Sequence, residues 1–472
     1  MTFNSYPFLL AFLPIALAGE YILQNLHRDC RWWLLATSAI FYALCGVKYL
    51  PFGTAEILVN YLLYRLIRSK PQHARKILHL SAFCNVLVLF CFKYLNFALS
   101  ISNALHLTDL EIPQMLLPTG ISFITFQQIA FLVDAYHNPN DKYSLLDYSV
   151  FSSFFPHITS GPIVLSKQFF PLLQNFEIDW GRVSSGLILF AIGLGKKVLI
   201  ADALGGGVDY AYANLDQINA SSMLFASVLY TLQIYFDFSG YSDMAIGIAR
   251  MLGLDLPINF NSPYRANNIS EFWDRWHITL TCFLTHYVYI PLGGNRKGKL
   301  RTYLNIMIVF LVSGIWHGAS FTFVLWGMIH GVLTVIHKAC SKRVTLPSGI
   351  GRVITLLCVN FAWILFRAGD LHALRNVLSV FRSGDWGTLD QSMCSASLPR
   401  ILVNLVPNSA PVTATAILFA VLAGFLTQLP VNSQAIAGKK QHVLLDRMIV
   451  ALLFVVSLFS LSGVTHFIYA YF

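Results

Sequence analysis

Tyr303-Leu304-Asn305-Ile306-Met307-Ile308-Val309-Phe310-Leu311-Val312-Ser313-Gly314-Ile315-Trp316-His317-Gly318-Ala319-Ser320 runs directly into a second apolar stretch, Phe321 to Ile336. Both flanks are oily enough to lie in a bilayer, so His317 is expected deep within one. Charge sets its depth. Arg296, Lys297, Lys299 and Arg301 form one basic cluster, and Lys338, Lys342 and Arg343 form another; basic loops favour the cytoplasmic side. If both clusters are cytoplasmic, the chain between them enters the membrane and returns. Helix from Arg301 to His317 rises about 24 Å at about 1.5 Å per residue, against a hydrocarbon core of about 30 Å. His317 then stands near the apex of a hairpin whose turn is Gly318-Ala319-Ser320. A single long helix crossing once is the alternative.

Around this core, Gln233 to Gly331 collects Asp237, Asp243, Asn259, Asn261, Glu271, Asp274, Arg275, His277, His286, Arg296 and His317 among apolar runs. Polar groups cut off from water are costly, so such a concentration needs a purpose. Glu271-Phe272-Trp273-Asp274-Arg275-Trp276-His277-Ile278-Thr279 places His277 directly behind a Trp-x-x-Trp segment. Before it, Asn259-Phe260-Asn261-Ser262-Pro263-Tyr264 predicts a turn from its proline and asparagines.

Each of these residues has a plain reading beside the functional one. His317 is either a core histidine satisfied by Ser313 or Ser320, or a base that burial keeps neutral. His277 is either an interfacial anchor or a catalytic or orienting residue. Asp237 and Asp243 stand six apart, on no shared i,i+4 face and no metal template, and are expected to cap or to pair with Arg250, Arg265 or Arg275. Trp273, Trp276 and Trp316 read either as the wall of a tunnel or as interfacial aromatics. His286 and Arg296 read as loop residues suited to surface docking.

Hydrophobic residues make up 56% of the 472 positions and charged residues 11%, which excludes a soluble globular protein, where the charged share is about 25%. The net charge of +10 sits in short loops between apolar runs, so it speaks for topology and anionic lipid and against nucleic acid. Cysteines 30, 45, 84, 91, 282, 340, 358 and 394 follow no metal spacing and read as reduced small hydrophobes.

Spans are expected at Tyr6–Leu26, Trp32–Leu50, Pro51–Leu66 and Ile77–Tyr94. The first reads as a retained membrane helix, its amino end facing outward and the basic His27, Arg28 and Arg31 inward. Leu116–Val133, interrupted by Pro118 and Gly120, reads as re-entrant or amphipathic. Ser144–Ile163, broken by Pro156 and Pro162, is either a pocket-lining element or a kinked packing helix. Val183–Ala203 is a span with Lys196 and Lys197 snorkelling to the cytoplasmic interface, followed by a turn at Leu204-Gly205-Gly206-Gly207. Ser221–Phe238, Val353–Phe366, Val412–Leu429 and Met448–Phe467 complete the set.

Several segments together carry a specific resemblance. They are Tyr235-Phe236-Asp237-Phe238-Ser239-Gly240-Tyr241-Ser242-Asp243-Met244, Asn259 to Tyr264, Phe272-Trp273, Arg275-Trp276-His277, Tyr289-Ile290-Pro291-Leu292-Gly293-Gly294-Asn295-Arg296 and Gly314-Ile315-Trp316-His317-Gly318-Ala319. The chain resembles the membrane-bound O-acyltransferases, in the branch that acetylates alginate and other exopolysaccharides such as cellulose. Weaker agreement extends from Phe3-Asn4-Ser5 to Phe467-Ile468-Tyr469.

The resemblance implies an all-α polytopic integral membrane protein, a helical bundle of about eleven to thirteen spans with re-entrant or interfacial helices around a central tunnel. It implies one domain over residues 1–472 with a signature core at 233–331. His317 matches the family's invariant histidine and His277 a second, polar site residue; Trp273, Trp276, Trp316, Asn261, Tyr264 and Asp237 are the substrate-binding set. Departures lie at Thr285-His286, where relatives carry Arg-Asp, and at Asp274, where a basic residue is common. These put the acceptor or partner in question more than the chemistry.

The expected activity is transfer of an acyl group, most simply acetyl, from a cytoplasmic thioester such as acetyl-CoA toward an exported polysaccharide, directly or through a periplasmic or secreted acetyltransferase partner. The setting is a bacterial inner membrane, with membrane lipid around the chain, no bound cofactor and no metal. The rival readings are a transporter or channel for an acyl or glycan species and a non-catalytic scaffold of a secretion complex.

Overall fold

In the computed structural model of the chain, Lys299–His317 and Phe321–Cys340 are two helices joined through Gly318, Ala319 and Ser320. They run antiparallel at very close range. A Cβ added at Gly314 would lie 2.3 Å from the Phe323 carbonyl oxygen, and one at Gly327 2.3 Å from that of Phe310. Only glycine lets two backbones approach so closely, and close approach is what holds helices together in lipid. Ser320 closes the turn by accepting from the Thr322 N–H at 3.3 Å, a cap that ends the connection where the second helix begins. The hairpin reading is therefore the one that holds, with His317 at its apex.

The structure describes residues 1–111, 117–174, 176–341, 343, 346–405, 412–438, 444–461 and 467–468. Lys342, the first residue of the Leu116–Val133 segment and residues 462–466 of the last expected span lie outside them. Among the described residues every regular element is helical. Among the described residues five helices are long and apolar enough to cross a membrane: Phe8–Asn25, Pro71–Ala104, Lys299–His317, Phe321–Cys340 and Ser348–Ala368. Counting as one span the pair Arg31–Cys45 and Val47–Ser69, bent by 119°, gives six. That is fewer than eleven to thirteen because other expected spans are helical but short or rich in charge. Val412–Thr427 is short, and Ala220–Met251 carries Asp237, Asp243 and Arg250.

The described chain forms two compact units. The first, Met1–Phe190 with Ala245–Pro257, holds the amino-terminal helices. Asn60 and Asn85 join two of them, the Asn85 amide donating to Asn60 Oδ1 at 2.8 Å, as polar side chains do between helices in lipid. Ser144–Ile163 is two short helices, Leu145–Ser153 and Phe155–Ile158. The first opens on a capping box between Ser144 and Asp147, and all four residues of the second are buried.

The second unit, Ala191–Met244 with Ile258–Ile468, contains the hairpin and corrects two expectations. Leu204 to Gly207 is not a turn but part of the helix Asp202–Ala213. Its glycines serve packing: a Cβ at Gly206 would meet the Ala396 carbonyl oxygen at 2.3 Å. Lys196 and Lys197 do not snorkel. They lie on a π-helical turn, Lys196–Ala201, and Lys197, with 2% of its side chain exposed, reaches Asp237 at 2.6 Å and Asp202 at 2.8 Å. Lys196 reaches Asp243 at 2.7 Å. Of the partners expected for these aspartates, Arg250, Arg265 and Arg275, two are engaged elsewhere, Arg250 with Asp255 and Arg275 with Glu271. Inside an apolar bundle a carboxylate takes the ammonium that the helix crossing brings to it.

Candidate active site

Trp316 brings the two sequence-singled histidines into one neighbourhood. Its ring centroid lies 5.0 Å from that of His317 and 6.3 Å from that of His277. His317 ends the first hairpin helix, 2% exposed, with Trp326 at 5.1 Å and Phe366 at 5.3 Å, both edge-on.

His277 arrives by a different route. The helix Ile269–Arg275 starts at Asn268, whose side chain accepts from the Glu271 N–H, and Glu271 pairs with Arg275 one turn on at 2.8 Å. After Trp276 the backbone turns left-handed at His277 (φ 45°) before the next helix, Ile278–Leu284. A bulky residue at positive φ is uncommon and is held there only by its surroundings. Here the Ile278 N–H donates to the Asn259 carbonyl at 3.0 Å, and His277 Nδ1 lies 3.0 Å from Asn259 Oδ1. The ring meets Phe238 edge-on at 4.8 Å. His277 is outside the candidate spans, and burial alone pushes its pKa down to about 3, because a charged imidazole has lost its hydration.

The remaining expected residues divide. Trp276 is buried against Tyr264, Phe260 and Trp363, and the Tyr264 hydroxyl donates to the Thr231 carbonyl at 2.5 Å; both belong to one buried aromatic cluster. Trp273 lines a cavity of about 290 Å³ together with Leu280, Leu284 and Phe310, with Ser313 on its wall one turn before His317, and with Asp274 and Lys338 as its charged members. Asp237 lies in its ion pair with Lys197. Asn261 is exposed, its Oδ1 accepting from the Asn432 amide at 3.0 Å. His286 and Arg296 are both exposed, but only Arg296 lies in a turn; His286 is on a π-helical turn, Thr285–Tyr289, that continues the helix Ile278–Leu284.

One residue of this neighbourhood escaped the sequence reading. His330, wholly buried on the second hairpin helix, accepts from the Trp273 indole N–H through Nδ1 at 3.3 Å and packs against Trp326 at 4.9 Å. Its only sequence signal is a polar residue one turn after a tryptophan in an apolar run.

Two buried imidazoles sharing a tryptophan can accept a proton from a hydroxyl while their aromatic surroundings keep water away. Known proteins agree with that chemistry. Residues 64–371 match the family model described as MBOAT, membrane-bound O-acyltransferase family. The chain is 39% identical over 435 residues to the peptidoglycan O-acetyltransferase of Helicobacter pylori, covering 84% of this chain and 82% of that protein. It is 34% identical to the probable alginate O-acetylase AlgI of Pseudomonas putida over the full length of both. A teichoic acid D-alanyltransferase of Bacillus subtilis matches at 27% over 269 residues, 52% of this chain and 66% of that one. With a family model spanning most of its length and relatives this similar from end to end, the chain belongs to the membrane-bound O-acyltransferase family and is a multi-pass acyltransferase.

Proposed function

We propose that this protein transfers an acetyl group from a cytoplasmic thioester, acetyl-CoA, to a hydroxyl of an exported polysaccharide, directly or through a secreted acetyltransferase, in a bacterial inner membrane. The names of its relatives support acetyl as the group and a cell-surface polymer as its destination. The placement of its basic loops supports entry of the donor from the cytoplasm. The observation that carries the reading is the shared neighbourhood of His277 and His317 around Trp316.

In the proposed reaction the acceptor hydroxyl oxygen attacks the thioester carbonyl carbon. His317 takes the hydroxyl proton as the new C–O bond forms, the C–S bond breaks, and the proton passes to the departing sulfur, releasing free CoA. The apolar cavity that reaches Ser313 suits the thin arm of the donor, with Lys338 at its charged end suited to the donor's phosphates. Neutral aromatic walls exclude the water that would otherwise hydrolyse the thioester.

The test is release of CoA from acetyl-labelled donor by purified protein in proteoliposomes, with acceptor polysaccharide and secreted partner supplied. His317→Ala at equal folded yield should lower the rate by about 10²- to 10⁴-fold, the usual worth of a positioned base. Wild-type release with an unimpaired His317→Ala variant would remove His317 from the chemistry.

A further inference from the structure

Asn259 belongs to a segment the sequence marked only as a turn, yet it is 1% exposed and makes four side-chain hydrogen bonds. Its Oδ1 lies 3.3 Å from the Thr279 backbone nitrogen, 3.0 Å from the Thr279 hydroxyl and 3.0 Å from His277 Nδ1. Its amide nitrogen lies 3.3 Å from the Ser242 hydroxyl. The backbone N–H of Thr279 can only donate, so the amide atom facing it must be the oxygen; the flipped amide would set two donors against each other. An amide oxygen cannot donate in return. The proton of the His277–Asn259 hydrogen bond therefore belongs to His277 Nδ1, and a neutral ring protonated there carries its lone pair on Nε2.

Resting on the acyl-transfer reading above, we propose that Asn259 is the positioning residue that locks His277 in its Nδ1–H tautomer, so that His277 faces the reaction through Nε2 as a hydrogen-bond acceptor, while the transferred proton goes to His317. In that tautomer a neutral His277 has no N–H left to stabilise a developing oxyanion, which assigns it a role beside His317 and removes the oxyanion role. The left-handed backbone at His277 belongs to the same device. It turns the N–H groups of Ile278 and Thr279 onto Asn259, one to its main chain and one to its side chain. Of the charged groups on neighbouring elements, Asp237 and Asp243 are matched by Lys197 and Lys196 and Glu271 by Arg275, while Asp274 lines the cavity with Lys338. The amide thus acts where a carboxylate would draw the ring toward its charged form.

The test reads the ring itself. Full-length protein labelled with imidazole-¹⁵N histidine in lipid nanodiscs, with His277→Gln to identify the resonance, should show a protonated Nδ1 and a bare Nε2 at pH 7. A proton on Nε2, or a doubly protonated ring, would overturn the proposal. Asn259→Leu should lose the Nδ1 proton preference and lower kcat for acetyl transfer by about 10- to 100-fold, as loss of a supporting hydrogen bond does, with KM for acetyl-CoA within about twofold. Asn259→Asp keeps the acceptor and adds charge; it should preserve the Nδ1 proton while moving the pH–rate profile upward. Full activity and an unchanged tautomer in Asn259→Leu would also overturn the proposal. Because the tautomer is read without turnover, an inactive protein with an Nδ1–H ring would count against acetyl transfer and leave Asn259 standing.

Discussion

The second unit contains two buried polar centres built on opposite electrostatic plans. Around Lys196 and Lys197 the charges are kept and matched: Asp237 accepts from Lys197 and from the Ile468 N–H at 2.9 Å, and Asp243 from Lys196 and from the Ser433 hydroxyl at 2.6 Å. Around His277, His317 and His330 the neighbours are aromatic rings, and the polar contacts of His277 and His330 run to the neutral groups Asn259 and Trp273. A charge in a low-dielectric interior must be met by its opposite, whereas an imidazole escapes the cost by shedding its proton. The first plan suits joining helices far apart in sequence. The second holds imidazole nitrogens within aromatic walls, which suits chemistry.

Removing one side of the charged centre should have the largest effect on stability. Lys197→Met strands Asp237, only 2% exposed, and a buried charge deprived of its partner costs about 3–5 kcal/mol. We expect a large loss of monodisperse protein in detergent and a lowered thermal midpoint. The double variant Lys197→Met, Asp237→Leu should recover most of it, since a buried pair can be replaced by apolar side chains at little cost. A double variant as unstable as the single one would show that packing, and not charge matching, sustains this centre.

In the aromatic centre the corresponding loss should be smaller, because only a neutral hydrogen bond is at stake. Trp273→Phe keeps a ring in place but takes away the donor to His330 Nδ1, leaving a buried acceptor unmet at about 1–3 kcal/mol. Combined with His330→Phe, it should cost less than the sum of the two single variants. Strict additivity in thermal midpoints would mean that the two residues do not act through that bond.

How much of this was legible beforehand differs between the centres. The hairpin could be read because basic clusters bracket it and Gly318 to Ser320 interrupt two apolar runs; those signals are local. His277 and His317 stood out because polar residues amid oily ones are rare. The partners of Asp237 and Asp243 were not legible, since Lys197 and Lys196 lie 40 and 47 positions away and only the helix crossing joins them. Gly205 to Gly207 read as a turn because glycine is a poor helix former, until packing against the Gln391–Ala396 helix overrode propensity. Asn259 read correctly as part of an irregular segment, but its bond to His277 depends on a left-handed residue 18 positions on, which no spacing rule anticipates.

The smallest effect separates the two plans by pH. In the unfolded chain His277 titrates at its ordinary value of 6.5, whereas in the folded protein burial holds it down to about 3. Above 6.5 both states are neutral and the residue contributes nothing to the pH dependence of stability. Between 6.5 and 3 the unfolded chain takes up a proton that the folded one refuses, so acidification favours unfolding, by less than about 1 kcal/mol between pH 7 and pH 6. His277→Gln has no such proton to gain. Its thermal midpoint should therefore fall less than that of the wild type over the same step, even if it starts lower. The double variant Lys197→Met, Asp237→Leu should leave this increment in place, since it strands no carboxylate at Asp237 and the proton concerned belongs to the other centre. Equal acid sensitivity in wild type and His277→Gln would mean that His277 is protonated as readily folded as unfolded, and the contrast between a charge-matched and a neutral centre would then fail at its most exposed point.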